Sequence, residues 1–222
     1  ALVAPLGNHS DMKVHDRLRA RMPFMLFDSR PKNMPDVDFV GTNHDQSTGL
    51  ATEYLCRVGA PPVFLAMPRV NFNAMERENA YIAKMNELGF EPHIIGTEMI
   101  QDVGLFEAHG QAVLDREFAA GRLIESSILC VNDRVAIGAL RAAAAHGLEP
   151  GGKRMGGLRI MGHDDYPLCP YTVPSLTTVA QNVDEIGRTA VSRLVGAIHA
   201  QQSPEEQFVK LVDGDIKVRE SA

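Results

Sequence analysis

The strongest constraint in this sequence is an alternation of short, uninterrupted apolar runs with longer stretches whose apolar residues recur at helical spacing. The runs are Phe24 to Phe27, Val63 to Met67, Ile128 to Val131 and, broken only by Arg159, Leu158 to Met161. Continuous rather than alternating hydrophobicity suits strands covered on both faces. In Thr48 to Val58 the residues Leu50, Ala51, Tyr54, Leu55 and Val58 form one helical stripe, and Gly59 stops it. Asp133 to His146 repeats the device with Ala136, Ile137, Leu140 and Ala144, with Asn132 or Asp133 as cap and Gly147 as stop. Further helices are predicted around Ala74 to Leu88, Glu107 to Ala120 and Asp184 to Gln201. Parallel strands need a connection of helix length, so this order predicts an α/β fold of parallel sheets wound by right-handed crossovers. No internal repeat or low-complexity linker interrupts it.

At 222 residues, 45% of them hydrophobic, the chain can bury one large core or two small ones. Lys and Arg number 22 against 28 Asp and Glu, a formal net charge of -6, so no basic field exists to bind nucleic acid through these residues themselves. Cys56, Cys130 and Cys169 are odd in number and unrelated in spacing, which fits reduced thiols better than a disulfide framework or a metal site. Ala1 to Pro5 has no secretory pattern, and no segment approaches the roughly 20 apolar residues of a membrane span. A soluble, cytoplasmic protein without membrane contact is expected.

In wound α/β sheets ligands sit beyond the carboxyl ends of the strands, where loops converge and helix N-termini offer free N–H groups. Asp28 directly follows Phe27, Asn132 and Asp133 follow Val131, and His163, Asp164 and Asp165 follow Gly162. Three predicted strand ends therefore carry carboxylates or amides. Each also has a plain structural use: Asn132 or Asp133 as a helix cap, and Asp164 and Asp165 as turn formers before Pro167. Arg77, after Val63 to Met67, adds a planar fork of donors to the same edge. Its alternative is an exposed helix arginine paired with Glu76 or Glu78.

Ile128-Leu129-Cys130-Val131-Asn132-Asp133 with Arg134 to Leu140 is similar to the strand, Asn-Asp and Ala-x-Gly helix of LacI/GalR transcription regulators. Ile160-Met161-Gly162-His163-Asp164-Asp165 resembles their G-[YF]-D-D strand end, with His163 at the aromatic position. Pro174 to Val179, then Asp184 to Arg188, resembles the crossover and following helix. Arg77-Glu78-Asn79-Ala80-Tyr81 looks like the Arg-x-x-Gly-aromatic segment, with Ala80 in place of glycine, and Asn43-His44 stands where Asp-Asn is commoner. Together these motifs, in the family's order, cover nearly the whole chain.

The resemblance implies a periplasmic-binding-protein-like type I fold, two doubly wound parallel-sheet subdomains joined by three crossovers. The first would comprise residues 1–42 and 181–208 and be incomplete in this chain, since the family places a helix-turn-helix head, a hinge and two strand-helix units ahead of the strand that Ala1 to Pro5 resembles. The second would comprise residues 43–180 and 209–222. It further implies a small effector, a sugar or related polyol, held by Arg77, Asn132 and Asp164, with Asp28 on the opposing subdomain. Phe72 and Phe106 are candidate stacking platforms or core residues. A homodimer through the C-terminal subdomain, operator DNA bound only through the head, and no cofactor, metal or catalysis complete the expectation. The chemistry suits a polyol: arginine donates, aspartate accepts, and an amide does either. Replacing Arg77 or Asp164 by alanine is expected to abolish binding without unfolding the domain.

Two rivals are weaker. A periplasmic sugar-binding protein shares the fold, but Pro-x-Leu-Thr-Thr and unpaired cysteines favour the regulator. A phosphate-binding enzyme finds most of its loop in Gly147 to Lys153, yet Arg154 occupies the Ser/Thr position and the segment follows a helix rather than a strand. No G-x-S-x-G elbow appears. Adjacent His163, Asp164 and Asp165 on extended chain point to alternate sides, which disfavours shared metal ligation.

Overall fold

A computed structural model describes residues 1–5, 12–69, 71–100, 104–151, 157–200 and 207–222. Its elements, in chain order, are β1 (Leu2–Val3), α1 (Met12–Arg19), β2 (Met25–Phe27), β3 (Phe39–Thr42), α2 (His44–Val58), β4 (Val63–Leu65), α3 (Phe72–Glu87) and β5 (His93–Ile95). They continue with α4 (Glu107–Ala119), β6 (Ser127–Cys130), α5 (Asp133–Ala145), β7 (Arg159–Asp164), β8 (Thr177–Ala180), α6 (Val183–Ala200), β9 (Val209–Val212) and β10 (Asp215–Lys217). Gly152, Lys153 and Arg154 of the phosphate-loop pattern lie outside the described residues, and the part that is described follows α5.

The chain divides into two units, the first comprising Ala1–Asn43, Val70–Asn73 and Asn182–Asp213, the second His44–Arg69, Ala74–Gln181 and Gly214–Ala222. The first holds a four-stranded sheet in the order β1-β2-β3-β9, every pair parallel. On one face Met25, Val40 and Val212 pack with Ile186 and Ala190 of α6, and a second cluster joins Leu26, Met34, Val37 and Phe39. Residues 209–212, expected with the second unit, belong to this sheet instead. Phe39 pairs with Val209 and Thr42 with Val212. Only one side of the strand is covered, for Val209 and Leu211 are exposed while Val212 is buried, so no continuous apolar run announces it.

The second unit holds a six-stranded sheet in the order β10-β8-β7-β6-β4-β5, parallel except where β10 runs against β8. β4 and β6 are buried along their whole length, as strands under helices on both faces must be. The direction of winding reverses at β4, whose neighbours are β5 on one side and β6 on the other. Such a reversal splays the following loops apart and opens a crevice at the carboxyl edge. On the flank of this sheet α4 and α5 approach so closely that a Cβ on Gly110 would stand 2.2 Å from the Val135 carbonyl oxygen, and one on Gly138 would stand 2.0 Å from that of Glu107. The close approach fixes the start of α5, and hence Asn132 and Asp133, against the sheet. Among the described residues no helix is long and apolar enough to cross a membrane.

Candidate functional site

Helix α3 follows β4 and carries Arg77 inward, leaving it only 5% exposed. Its Nη1 donates to the carbonyl oxygen of Val131 at the end of β6 (2.9 Å), its Nη2 to Oδ1 of Asp164 at the end of β7 (2.7 Å), and its Nε to Nδ1 of His44 (3.4 Å). One guanidinium, carried by the helix that follows β4, thus ties together the ends of the adjacent strands β6 and β7. The alternative of a surface arginine paired with Glu76 or Glu78 is set aside: Glu78 binds Arg69, and Glu76 lies 3.8 Å from His44. Burial suits Arg77 because its planar, weakly hydrated fork reaches acceptors on separate strand ends, whereas a lysine ammonium is a compact and strongly hydrated point charge.

Asp164 closes β7 with φ 128, a backbone setting that side-chain-bearing residues rarely adopt, and Asp165 follows with φ 55, its carboxylate held by Arg219 at 2.7 Å. Three donors converge on Oδ1 of Asp164: Arg77 Nη2, Gln181 Nε2 at 2.6 Å and His163 Nδ1 at 3.4 Å. Its Oδ2 has no hydrogen-bond partner among the described residues, and the side chain is 35% exposed. Burial would raise its pKa, but the charge of Arg77 and the hydrogen bonds from His163 and Arg77 outweigh it and hold the carboxyl down at about 2. His163 is 2% exposed, its Nε2 is 3.1 Å from Oγ of Ser47, and burial together with Arg77 lowers its pKa to about 4. At neutral pH the cluster therefore presents a cancelled ion pair, a neutral imidazole and one spare carboxylate oxygen.

Asn132 and Asp133 divide the work that either could have done. Asn132, with extended backbone at φ -156, caps α5 by accepting from the Val135 N–H at 2.9 Å, while among the described residues its Nδ2 meets only the Met67 sulfur at 3.8 Å. Asp133 has no exposed surface; it accepts from the Tyr166 N–H at 2.6 Å and from the Thr178 hydroxyl, and burial pushes its pKa up. A Cβ on Gly162 would stand 2.0 Å from its Oδ1, which is why that strand position is glycine.

Phe106 precedes α4 with φ 63 and is half-buried; the guanidinium of Arg134, itself paired with Glu107, lies 4.1 Å from its ring centroid and covers one face. Asp28 and Phe72 belong to the first unit. Asp28 follows β2 with φ 64 and accepts from Nδ2 of Asn73 at 3.3 Å; Phe72 is the half-buried first residue of α3. Of the six singled-out residues, Arg77 and Asp164 are in direct contact, and Asn132 adjoins the carbonyl that Arg77 grips. His44, Ser47 and Gln181 complete the cluster and were not singled out. Two of them follow β3 and β8, so the strand-end rule covers them once those strands are recognised.

The geometry attaches a stability cost to the expectation that alanine at Arg77 or Asp164 abolishes binding without unfolding the domain. Arg77 is buried and Asp164 is its counter-ion, so removing the carboxylate strands a buried charge, at a cost of about 3 kcal/mol.

Residues 52–222 match the family described as periplasmic binding protein-like domain. The transcriptional regulator MalR of Streptomyces coelicolor is 30% identical over 206 residues, spanning 90% of this chain and 57% of that protein. The repressor PurR of Pasteurella multocida is 25% identical over 201 residues, with the same shares of 90% and 57%. The chain thus spans little more than half the length of these curated relatives. Among solved structures, a LacI-family regulatory protein from Chloroflexus aggregans superposes with a TM-score of 0.81 at 26% identity, covering 99% of this chain and 75% of that one. A LacI-family regulator from Enterococcus faecalis V583 with bound ribose gives 0.78 at 22% identity, covering 99% and 76%.

Proposed function

This chain belongs to the periplasmic binding protein-like family, in the branch of LacI/GalR transcription regulators, and from that premise we propose that it is an effector-binding domain for a sugar or related polyol. In the whole protein, ligand closure of the two subdomains controls operator DNA binding by a helix-turn-helix head, in a cytoplasmic homodimer joined through the C-terminal subdomain. The coupling is reciprocal, so operator DNA changes effector affinity by the factor by which effector changes DNA affinity. The relatives are regulators by name, which supports this reading over a transport receptor and over an enzyme.

The observation that carries the proposal is the division of labour within Asp164. One oxygen is saturated by three donors, and the other has no partner among the described residues on a partly exposed side chain. A group presented in this way accepts a hydrogen bond from a ligand hydroxyl, and an ionised acceptor makes that bond worth about 1.5–3 kcal/mol. The same oxygen repels phosphate or carboxylate groups. Asn132, Phe106 and, in the first unit, Asp28 and Phe72 are the further proposed contacts. Among the described residues two N–H bonds of Arg77 also find no acceptor, because five are available and three are used.

The test is thermal shift followed by calorimetry with neutral pentoses, hexoses and disaccharides, sugar phosphates and hypoxanthine, on the chain and on Asp164→Asn. The substitution keeps an oxygen for Arg77 and Gln181 but turns the outward acceptor into a donor. A neutral sugar that raises the melting temperature saturably, and that binds the variant at least roughly tenfold more weakly, is expected. A ligand set confined to anions, or a sugar indifferent to the substitution, defeats the proposal.

A further inference from the structure

Three donors hold Oδ1 of Asp164, and one of them occupies a position where the family resemblance leads to Tyr or Phe. Neither of those rings has a nitrogen to offer. His163 lies between Ser47 and Asp164: Ser47 Oγ is 3.1 Å from its Nε2, and Asp164 Oδ1 is 3.4 Å from its Nδ1. Ser47 has no exposed surface and His163 almost none, so water does not compete for either end. The ring of His44, which accepts from Arg77 Nε, lies 5.8 Å from that of His163 centre to centre.

Elementary valence then fixes the protons. An ionised carboxylate has only lone pairs, so the nitrogen facing Asp164 carries the hydrogen. The ring is neutral, because burial and the nearby guanidinium oppose a second charge, so Nε2 is bare. A bare nitrogen accepts, and the Ser47 hydroxyl must donate to it. The direction runs from the Ser47 O–H to Nε2, and from Nδ1–H to Oδ1 of Asp164.

We propose that His163 is a positioning residue, locked by Ser47 in the Nδ1–H tautomer so that it helps to hold Oδ1 of Asp164 inward and leaves Oδ2 for a ligand. This rests on the effector reading of Asp164, but its test reads the ring itself and needs no ligand. Nitrogen-15 spectra of the histidine side chains at pH 7 are expected to show His163 protonated at Nδ1 and bare at Nε2. A proton on Nε2, or a cationic ring, overturns the proposal.

Variants test the positioning. Following the carboxyl carbon of Asp164 through an acid titration, His163→Phe, which keeps a ring but loses the donor, is expected to move the midpoint up by about one pH unit. His163→Asn, whose amide nitrogen stands near the δ position, is expected to bring it back. Equal midpoints in the wild type and both variants overturn the proposal. In Ser47→Ala the Nε2–H tautomer is expected to appear beside the other, and an unchanged ring denies Ser47 its part. A sugar that binds Asp164→Asn undiminished defeats the effector reading, whereas these spectra bear on the tautomer alone.

Discussion

Asp133 and Asp164 stand at neighbouring strand ends of one sheet, are both acidic, and have opposite fates. Asp133, at the start of α5, is enclosed: Thr178 and the Tyr166 N–H take its oxygens, and Gly162 leaves room for nothing more. Asp164, at the end of β7, gives all its internal bonds to one oxygen and keeps the other outward. The charges are governed accordingly, with the Asp133 pKa raised by burial and that of Asp164 held at about 2 chiefly by Arg77, against a burial that opposes it. The difference teaches that a carboxylate at the carboxyl edge of a wound sheet signals a ligand only when its bonding capacity is unspent. Position alone does not separate a brace from a site.

The largest effect should come from cutting the brace. Asp133→Ala leaves the Tyr166 N–H without its acceptor and the Thr178 hydroxyl with only the Val179 carbonyl at 3.4 Å to donate to, and is expected to cost about 3 kcal/mol in denaturant unfolding. Asp164→Asn, which keeps the inward acceptor but removes the charge opposite Arg77, is expected to cost less than Asp133→Ala while weakening sugar binding. If both substitutions cost the same stability, the division into brace and site fails.

Acid sharpens the contrast next. His163 has a folded pKa of about 4 against an ordinary 6.5, so between those values the unfolded chain binds more protons than the folded one. Stability therefore rises with pH across that window and is lost as pH falls through it, by up to about 3 kcal/mol. Asp164 adds a loss of the same sign lower down, between the ordinary carboxylate range and about 2. Asp133, with a raised pKa, works the other way and gains stability on protonation above that range. Unfolding midpoints at pH 7 and pH 4.5 check this: the wild type is expected to lose stability and His163→Phe to lose much less.

Much of this was legible in residue order, and the illegible part has physical causes. β4 and β6 declare themselves because both faces are buried, so every residue but Ser127 is apolar. β9 does not, because one side faces solvent; β5 does not, because it is a three-residue edge strand with His93 exposed. α2 was legible as a helix, but its fully buried face is His44, Ser47, Thr48, Ala51, Thr52 and Leu55 rather than a stripe with Leu50 and Val58, which are half-buried. A buried side that is mostly polar has no hydrophobic period, and this one supplies His44 and Ser47 to the cluster. Gln181 was missed because β8 is half threonine. Asp28, Arg77, Asn132 and Asp164 were legible by position, but which of their atoms were committed was not, since this depends on partners distant in sequence, such as Val131 for Arg77 and Gln181 for Asp164.

The smallest effect bears on Asn132, which sits between the two cases. Its oxygen is committed to capping α5, so Asn132→Ala is expected to cost about 1 kcal/mol whatever the ligand does. Its Nδ2 is another matter, because a thioether sulfur at 3.8 Å is a weak acceptor and leaves the amide hydrogens with capacity to spare. Asn132→Ser separates the two functions: serine caps as well as asparagine but has no amide nitrogen at that reach. If Asn132 belongs with Asp164, the serine variant keeps the wild-type unfolding midpoint and binds sugar several-fold more weakly. If it belongs with Asp133, calorimetry finds the affinity unchanged, and the ligand-binding rim contracts to Arg77, Asp164 and their buried supports.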